Sequence, residues 1–274
     1  MQQGLNLKVL WFVLLVTGTQ MLQAQKNVIK ANRAETNKTI DGNTIDWKQP
    51  FKNADDDTRL QFSFANDSAF LYICLTTDEQ LTQNKIALAG TYIWIDASGR
   101  KVQNAGLEFP VPTAAHSGPP QFEGGAPDQN FSVEKMQQEM LRGFKNIKII
   151  GLGGETKANI PLKNQYGIEA AIHWDTAVMN LEYKIPLNAF IHTRDSSKPI
   201  LICIEIPALN VSMPFGNMPP PDGMGGPPPG MAGETGEGPG VEGMGGPPPL
   251  PTEGNFNEMG KTNTIWLKVK LASD

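Results

Sequence analysis

The sequence has few of the residues that most often build metal centres and covalent active sites. Its 274 residues include three histidines and two cysteines. The histidines, His116, His173 and His192, lie far apart, and none pairs with another at the spacing of metal ligands. The Gly-x-Ser-x-Gly turn of many serine hydrolases is also absent from the chain. These absences argue against a histidine-based metal centre and against that class of hydrolase.

Blocks of positive charge are missing as well. The chain has 28 acidic and 23 basic residues, a net charge of −5. Residues 214–254 contain five acidic residues and no basic one, so this segment alone accounts for the net charge. Nucleic-acid binding therefore lacks the electrostatic basis that it needs.

Long apolar runs are absent, and the most apolar segment, near the N-terminus, has only eight consecutive apolar residues. The run 9–16 follows Lys8 and precedes a polar stretch with small residues. This order is typical of a secretory signal peptide, and it predicts cleavage after Ala24. A bilayer span needs about 20 apolar residues, which no segment supplies. We therefore expect a signal peptide over 1–24 and a secreted or periplasmic mature chain without a transmembrane segment.

The two cysteines, Cys74 and Cys203, each lie within an apolar run that is typical of a strand. Export permits a disulfide bond. However, free cysteine is also among the residue types most often buried. Two separate core thiols and one bridge between strands both fit the sequence.

Glycine and proline are concentrated in one segment. Residues 214–254 hold 13 of the 28 glycines and 12 of the 22 prolines, and the sequence GMGGPPP occurs twice, 20 residues apart. Such a segment buries little apolar surface, so it is predicted to be a long disordered loop. A second proline-rich loop is predicted over 110–130. The rest of the mature chain, 25–274, is predicted to be one domain that these two loops interrupt.

Most of that domain consists of short segments with the pattern of β-strands. Residues 58–64 alternate apolar and polar side chains, which is the period of a half-buried strand. A turn over 66–68 joins them to the apolar run 69–76, which predicts a β-hairpin. The pattern as a whole predicts an all-β fold, an antiparallel β-sandwich of about nine strands with one short helix over 132–144. The other seven predicted strands are 91–96, 101–109, 146–152, 166–174, 180–187, 200–206 and 264–271.

The aromatic residues give the most informative functional signal. If Ile93 and Ile95 face the core, Tyr92, Trp94 and Asp96 point to the opposite side of the same strand. Exposed aromatic rings can stack on the C–H face of a sugar, and nearby polar groups can bind its hydroxyls. We therefore predict a ligand-binding site of Tyr92, Trp94 and Asp96, with Trp174 as a further candidate.

The carboxylates give weaker signals. The triplet 55–57 could be a solvated loop or a calcium site, so calcium is left open as an unassigned ligand, and no other cofactor or metal is expected. Asp96 also opens a turn sequence. A glycosidase would need two paired carboxylates, and the sequence offers no evidence that pairs any two.

Several motifs, in order along the chain, resemble family 9-like carbohydrate-binding modules. They are TIDGNTIDW over 39–47, FAND over 64–67 leading into FLYI over 70–73, YIWID over 92–96, and EYKIPL over 182–187. The resemblance extends over about residues 35–271 apart from the insert. It implies an immunoglobulin-like or related β-sandwich that binds sugars and is usually attached to a secreted enzyme. This chain has no catalytic partner domain, so the resemblance carries fold better than ligand.

The sequence therefore predicts a secreted, non-catalytic protein that binds a carbohydrate or glycan through exposed aromatic residues. The alternative is a structural or interaction protein of the cell envelope, in which the proline-rich insert 214–254 recruits a protein partner. A third hypothesis is Cu(I) binding by the methionines between 213 and 259, since thioethers are ligands that Cu(I) prefers.

Overall fold

The computed structural model describes residues 28–35, 37–47, 51–112, 133–152, 156–190, 198–209 and 257–273. The predicted signal peptide, most of the 110–130 loop and the 214–254 insert lie outside these residues. The described chain forms thirteen strands and two α-helices. The strands are β1 (Val28–Lys30), β2 (Asn32–Arg33), β3 (Asn53–Asp55), β4 (Leu60–Asn66), β5 (Phe70–Thr77), β6 (Tyr92–Asp96), β7 (Gly106–Glu108), β8 (Asn146–Ile150), β9 (Lys157–Pro161), β10 (Glu169–Asp175), β11 (Val178–Pro186), β12 (Ile200–Ile206) and β13 (Asn263–Lys270). The helices are α1 (Gln80–Ala89) and α2 (Val133–Gly143).

The strands form two sheets that pack as a β-sandwich, as the sequence predicted. The seven-stranded sheet has the order β1-β13-β12-β6-β7-β8-β9. The six-stranded sheet has the order β10-β11-β5-β4-β2, with β3 also pairing with β4. The main core lies between the sheets and is built from inward-facing residues of both, such as Phe62, Ile73, Ile93 and Ile204.

The structure adds detail to the predicted topology. All nine predicted strands are present, but β1, β2, β3 and β9 were not predicted, since runs of two to five residues give little periodic signal. The sheets are mixed rather than purely antiparallel, because β1 pairs in parallel with β13 and β2 with β4. The chain passes from one sheet to the other between these two strands, so the N-terminal segment borders both sheets.

Each helix begins or ends where local chemistry requires. Glu79 caps α1, because its carboxylate accepts hydrogen bonds from the N–H groups of Leu81 and Thr82. The helix ends at Gly90, whose φ of 79° suits glycine. Helix α2 is the predicted 132–144 helix, and its Met140 and Leu141 pack against the main core. Among the described residues, no helix has the length and apolarity that a membrane crossing requires.

A second apolar cluster covers the outer face of the six-stranded sheet. Ala34, Ile40, Trp47 and Phe51 of the N-terminal segment pack on this face against Tyr72 and Cys74. The seven-stranded sheet has no such cover among the described residues. The two outer faces therefore differ, and this difference locates the candidate site.

Candidate functional site

The outer face of the seven-stranded sheet displays the predicted aromatic pair. Strand β6 lies between β12 and β7. Its Ile93 and Ile95 are buried in the core, whereas Tyr92 and Trp94 are half-buried on the opposite side. Alternation along β6 therefore places the two aromatic side chains where the sequence predicted them.

The two rings are stacked. Their centroids are 5.4 Å apart and their planes differ by 5°. The Trp94 indole extends across the sheet: its Cε3 is 2.8 Å from the position that a Cβ on Gly106 would occupy, and its Nε1 donates to a Glu205 oxygen at 3.2 Å. Gly106 has no side chain, so the indole can approach the neighbouring strand closely.

A third aromatic residue, Trp266, shares this face. In the sheet register, Cys203 on β12 lies between Trp94 on β6 and Trp266 on β13. Cys203 points outward, yet it is fully buried. The amide of Gln103 lies 3.6 Å from its Sγ and contributes to this cover. Together, Tyr92, Trp94 and Trp266 form what we call the aromatic face.

Trp266 was not among the predicted site residues. The signal that could have placed it is the period of two in β13, where Leu267 and Val269 are buried and Trp266 and Lys268 are not. Because β13 pairs with β12 and β12 with β6, only the sheet order shows that Trp266 and Trp94 lie in one row.

Polar side chains border the aromatic face on both sides. Glu205 accepts hydrogen bonds from Trp94 Nε1 and, at 2.7 Å, from Gln103 Nε2. On the other side, the Lys148 ammonium pairs with the Glu108 carboxylate, donates to the Tyr92 hydroxyl at 3.3 Å, and lies 5.4 Å from the centroid of the Tyr92 ring. These groups can offer both donors and acceptors to a polyhydroxylated ligand.

The ion pair sets the protonation of its neighbours. Burial raises the pKa of Tyr92, and the Glu108 carboxylate raises it further. Burial alone would lower the pKa of Lys148, but the interactions with Glu108 and Tyr92 outweigh it, so that pKa is raised. At neutral pH, Tyr92 therefore keeps its proton and Lys148 its charge.

An open depression of about 460 Å³ continues the face toward β9. Glu108, Lys148, Lys157 and Asn159 supply most of its polar lining. These residues lie in the same part of the register as Tyr92, with Glu108 opposite Tyr92, Lys148 opposite Glu108, and Asn159 opposite Lys148. The polar row thus extends from the aromatic face to the edge of the sheet.

A larger groove, of about 630 Å³, lies elsewhere, between α2 and the 162–172 segment. Its lining is mainly apolar and includes Phe109, Leu141 and Phe144. None of the predicted site residues lines it. Its chemistry favours filling by apolar groups, whereas the aromatic face combines rings with hydrogen-bonding groups.

Asp96 has a structural role that corrects its assignment to the ligand site. Its side chain is 3% exposed, and its oxygens accept hydrogen bonds from the N–H groups of Ser98, Arg100 and Val102 and from the Ser98 hydroxyl. Burial alone would raise the pKa of Asp96, but these hydrogen bonds lower it. The carboxylate is occupied in holding the 97–102 turn.

Trp174 is also placed differently from the prediction. It lies on β10 of the six-stranded sheet, where Ala170, Ile172 and Trp174 alternate toward the main core. It is 9% exposed, and its Nε1 donates to Gln83 Oε1 at 3.1 Å. Trp174 is therefore a core residue and does not share a surface with Tyr92 and Trp94.

Two of the motifs that carry the family resemblance, TIDGNTIDW over 39–47 and EYKIPL over 182–187, meet on the six-stranded sheet. Glu182 is fully buried and accepts hydrogen bonds from Trp47 Nε1 at 2.5 Å, Gly42 N at 2.6 Å and Asp41 N at 3.1 Å. Burial raises the pKa of Glu182, and these donors act in the opposite direction. Asp41, Gly42, Trp47 and Glu182 therefore fix the N-terminal segment to the sheet. In this chain they have a structural function.

Cys74 and Cys203 are both free and buried, which decides between the two alternatives for the cysteines. They lie on different sheets. Burial raises the pKa of the Cys74 thiol, and it raises that of Cys203 to about 11. Neither has the thiolate character of a reactive cysteine.

The described carboxylates form no cluster that could hold a metal ion. In the described ranges, no group of three His, Cys, Asp or Glu side chains comes together in this way. Asp55 of the acidic triplet instead accepts hydrogen bonds from Thr58 N and Thr58 Oγ1, both at 2.8 Å. The methionine-rich stretch of the Cu(I) hypothesis is almost wholly outside the described residues.

Comparison with protein-family models, curated proteins and solved structures yields no match.

Proposed function

We propose that this chain is a secreted, non-catalytic carbohydrate-binding protein and that its sugar-binding surface is the aromatic face. The observation that carries the proposal is the accessible Tyr92–Trp94 pair, whose rings lie 5.4 Å apart beside Glu205 and Lys148. Aromatic rings with adjacent donors and acceptors are the chemistry that a sugar requires, because each sugar has apolar C–H faces and polar hydroxyls.

Two features of the sequence support the same function. Residues 1–24 have the pattern of a signal peptide, which would expose the mature chain to extracellular or periplasmic glycans. The ordered motifs that resemble family 9-like carbohydrate-binding modules support the β-sandwich scaffold of such a protein. A purely binding function requires no catalytic group, only a surface that contacts the ligand.

The test is retention on immobilised polysaccharides, with the Tyr92→Ala/Trp94→Ala double variant as the probe of the site. Two lost ring contacts should weaken binding by about fivefold or more. Phe70→Ala is the matched control, because Phe70 is a partly buried aromatic residue with a lysine 4.4 Å from its ring centroid, but on the opposite sheet. Native folding of each variant is checked by circular dichroism.

Retention of the control but not of the double variant would support the proposal. Equal binding by both variants would contradict the site, and failure of the folded wild-type chain to bind any polysaccharide would contradict the function.

The alternative function, partner capture in the cell envelope by the 214–254 insert, is separated by deleting that insert. The described flanks meet, since Leu209 N donates to Met259 O at 2.8 Å and Ala208 N to Thr262 Oγ1 at 3.1 Å. A short turn can therefore replace the insert without moving β12 or β13. Sugar binding should survive this deletion, whereas an interaction protein should lose its partner.

A further inference from the structure

A patch of lysines lies next to the aromatic face, at one edge of the same sheet. Parallel pairing places Val28 opposite Lys268 and Lys30 opposite Lys270. Ile29 and Val269 face the core between these pairs. Alternation therefore directs Lys30, Lys268 and Lys270 outward, and all three are exposed. We call these three residues the lysine patch.

Among the described residues, no carboxylate pairs with a lysine of the patch. Lys30 and Lys270 are direct neighbours on two paired strands whose backbones are about 5 Å apart, and like charges at such positions destabilise each other. Glu205 lies on the same face and is opposite Thr264 in the sheet register. Because Thr264 is four residues before Lys268, Glu205 is about 13 Å from Lys268 along the strand.

The lysine patch is continuous with the aromatic face. Trp266 and Lys268 are successive outward residues of β13, so their Cα atoms are about 7 Å apart. Trp266 in turn shares a row with Trp94 through Cys203. Lys268 also shares a row with Asp96, two strands away across Leu201, but that carboxylate is buried and accepts hydrogen bonds from the 97–102 turn. A ligand that lies over Trp94 and Trp266 therefore reaches Lys268 as the next outward side chain of β13.

We propose that the natural ligand of this face is an acidic glycan, whose carboxylate or sulfate groups bind the lysine patch while its rings contact the aromatic face. This inference rests on the proposed carbohydrate-binding function and names its substrate class. Charge complementarity carries it, because three neighbouring ammonium groups lose their mutual repulsion when an anion lies between them.

An anionic membrane fits the same patch less well. Stable attachment to a membrane needs buried apolar groups in addition to positive charge. The exposed large apolar side chains among the described residues are Val28 and Ile45, and only Val28 lies beside the patch. Half-buried rings with bound polar groups suit a hydrated glycan better.

The test is calorimetric titration with two forms of one polymer, polygalacturonate and its fully methyl-esterified form, which differ in charge. The full mature chain should bind the charged form more tightly. The Lys268→Gln/Lys270→Gln variant should weaken that binding by about five- to thirtyfold at low salt and leave binding of the ester unchanged. Lys52→Gln/Lys163→Gln is the matched control, because it removes the same charge from exposed sites elsewhere.

The outcomes separate this inference from the function on which it rests. Equal binding of both polymers, with no effect of the lysine variant, overturns the acidic class while the carbohydrate function stands. Equal loss in the control variant also overturns it, since net charge would then explain the effect. Binding to phosphatidylserine vesicles but to neither polymer would overturn both proposals in favour of a membrane surface.

Discussion

Each sheet has a glutamate that accepts a hydrogen bond from a tryptophan indole, but one pair is covered and the other is accessible. Glu182 and Trp47 on the six-stranded sheet are buried beneath the N-terminal segment, and two backbone N–H groups complete the site. Glu205 and Trp94 on the seven-stranded sheet are half-buried, with Gln103 as the second donor. The same pair of residue types thus fixes a segment on one sheet and forms part of an accessible surface on the other.

Burial beneath another segment, rather than residue type, therefore decides whether a tryptophan–glutamate pair on a sheet stabilises the fold or forms part of an accessible surface. A buried carboxylate with three donors is costly to change, because every donor loses its partner at once. When a half-buried carboxylate is removed, its former donors can form hydrogen bonds with water instead. Stability measurements on matched variants of the two faces test this difference directly.

The largest effect is expected from removing the two carboxylates. Glu182→Leu leaves Trp47 Nε1, Gly42 N and Asp41 N without an acceptor, and it should lower the free energy of unfolding by about 3–5 kcal/mol. Glu205→Leu should cost less than about 1 kcal/mol, because Trp94 and Gln103 can turn to water. Urea unfolding of both variants gives the comparison. Losses of similar size would show that the two faces do not differ in the way argued.

The second effect concerns two glycines with positive φ. Gly42, in the covering segment, has a φ of 83°, and a Cβ there would lie 2.5 Å from the Cβ of His173. Gly99, in the turn after β6, has a φ of 76° and no atom within 4 Å of such a Cβ. Gly99→Ala should therefore cost about 1 kcal/mol, from the backbone conformation alone. Gly42→Ala should cost about 2 kcal/mol more, because the covering segment has to move away from β10.

Thermal unfolding of the two alanine variants measures this difference. The result that contradicts it is an equal shift in Tm, which would mean that the segment over 34–51 is not tightly held against the sheet.

The third effect concerns two lysine–glutamate ion pairs, and here the larger loss of stability is expected on the accessible sheet. Lys148 and Lys184 have similarly small exposed fractions, 18% and 12%, but their partners Glu108 and Glu169 are 6% and 46% exposed. Lys148→Met leaves the buried Glu108 carboxylate without its cation and should cost about 2 kcal/mol. Lys184→Met should cost less than about 1 kcal/mol, because Glu169 returns to water.

Urea unfolding at low and high salt checks this prediction. The ion pair on the accessible sheet should be the less sensitive to salt, since its partner is buried. If Lys184→Met costs as much as Lys148→Met, burial of the carboxylate is not what separates the two pairs.

The longer strands and the orientation of β6 could be predicted from the sequence. Period two is strong there, because five or more alternating residues mark one buried face. The edge strands β1 and β2 could not be predicted in this way, since three and two residues are too few to show a period. Their parallel pairing depends on where the chain crosses from one sheet to the other, which is a property of the whole fold.

The site could be predicted only in part, for a related reason. Tyr92 and Trp94 are two residues apart on one strand, so alternation alone relates them. Trp266 joins them through the order of β6, β12 and β13, which no local pattern encodes. Asp96 was assigned by alternation along β6, but its carboxylate accepts hydrogen bonds from the turn that follows the strand. Trp174 was assigned as an aromatic residue, but it lies in the core and donates to Gln83.

The smallest effect is a difference in the pH dependence of stability between two buried carboxylates, Glu182 and Asp96. The pKa of Glu182 is raised by burial, so its contribution to stability is fully present below the unfolded value of about 4.3 and is lost as pH rises through the folded value. The pKa of Asp96 is lowered, because its hydrogen bonds outweigh the effect of burial. Its contribution is present above the unfolded value of about 3.9 and is lost as pH falls.

Urea unfolding at several pH values should therefore give opposite slopes for two variants compared with the wild-type chain. The stability advantage of wild type over Glu182→Gln should decrease as pH rises from about 4, whereas its advantage over Asp96→Asn should decrease as pH falls below about 4. Asp46 also raises the pKa of Glu182, so Asp46→Asn serves as a control that should reduce the first slope without changing the second. Parallel slopes for both variants would mean that burial outweighs hydrogen bonding at both sites. Glu182 and Asp96 would then contribute to the pH dependence of stability in the same direction.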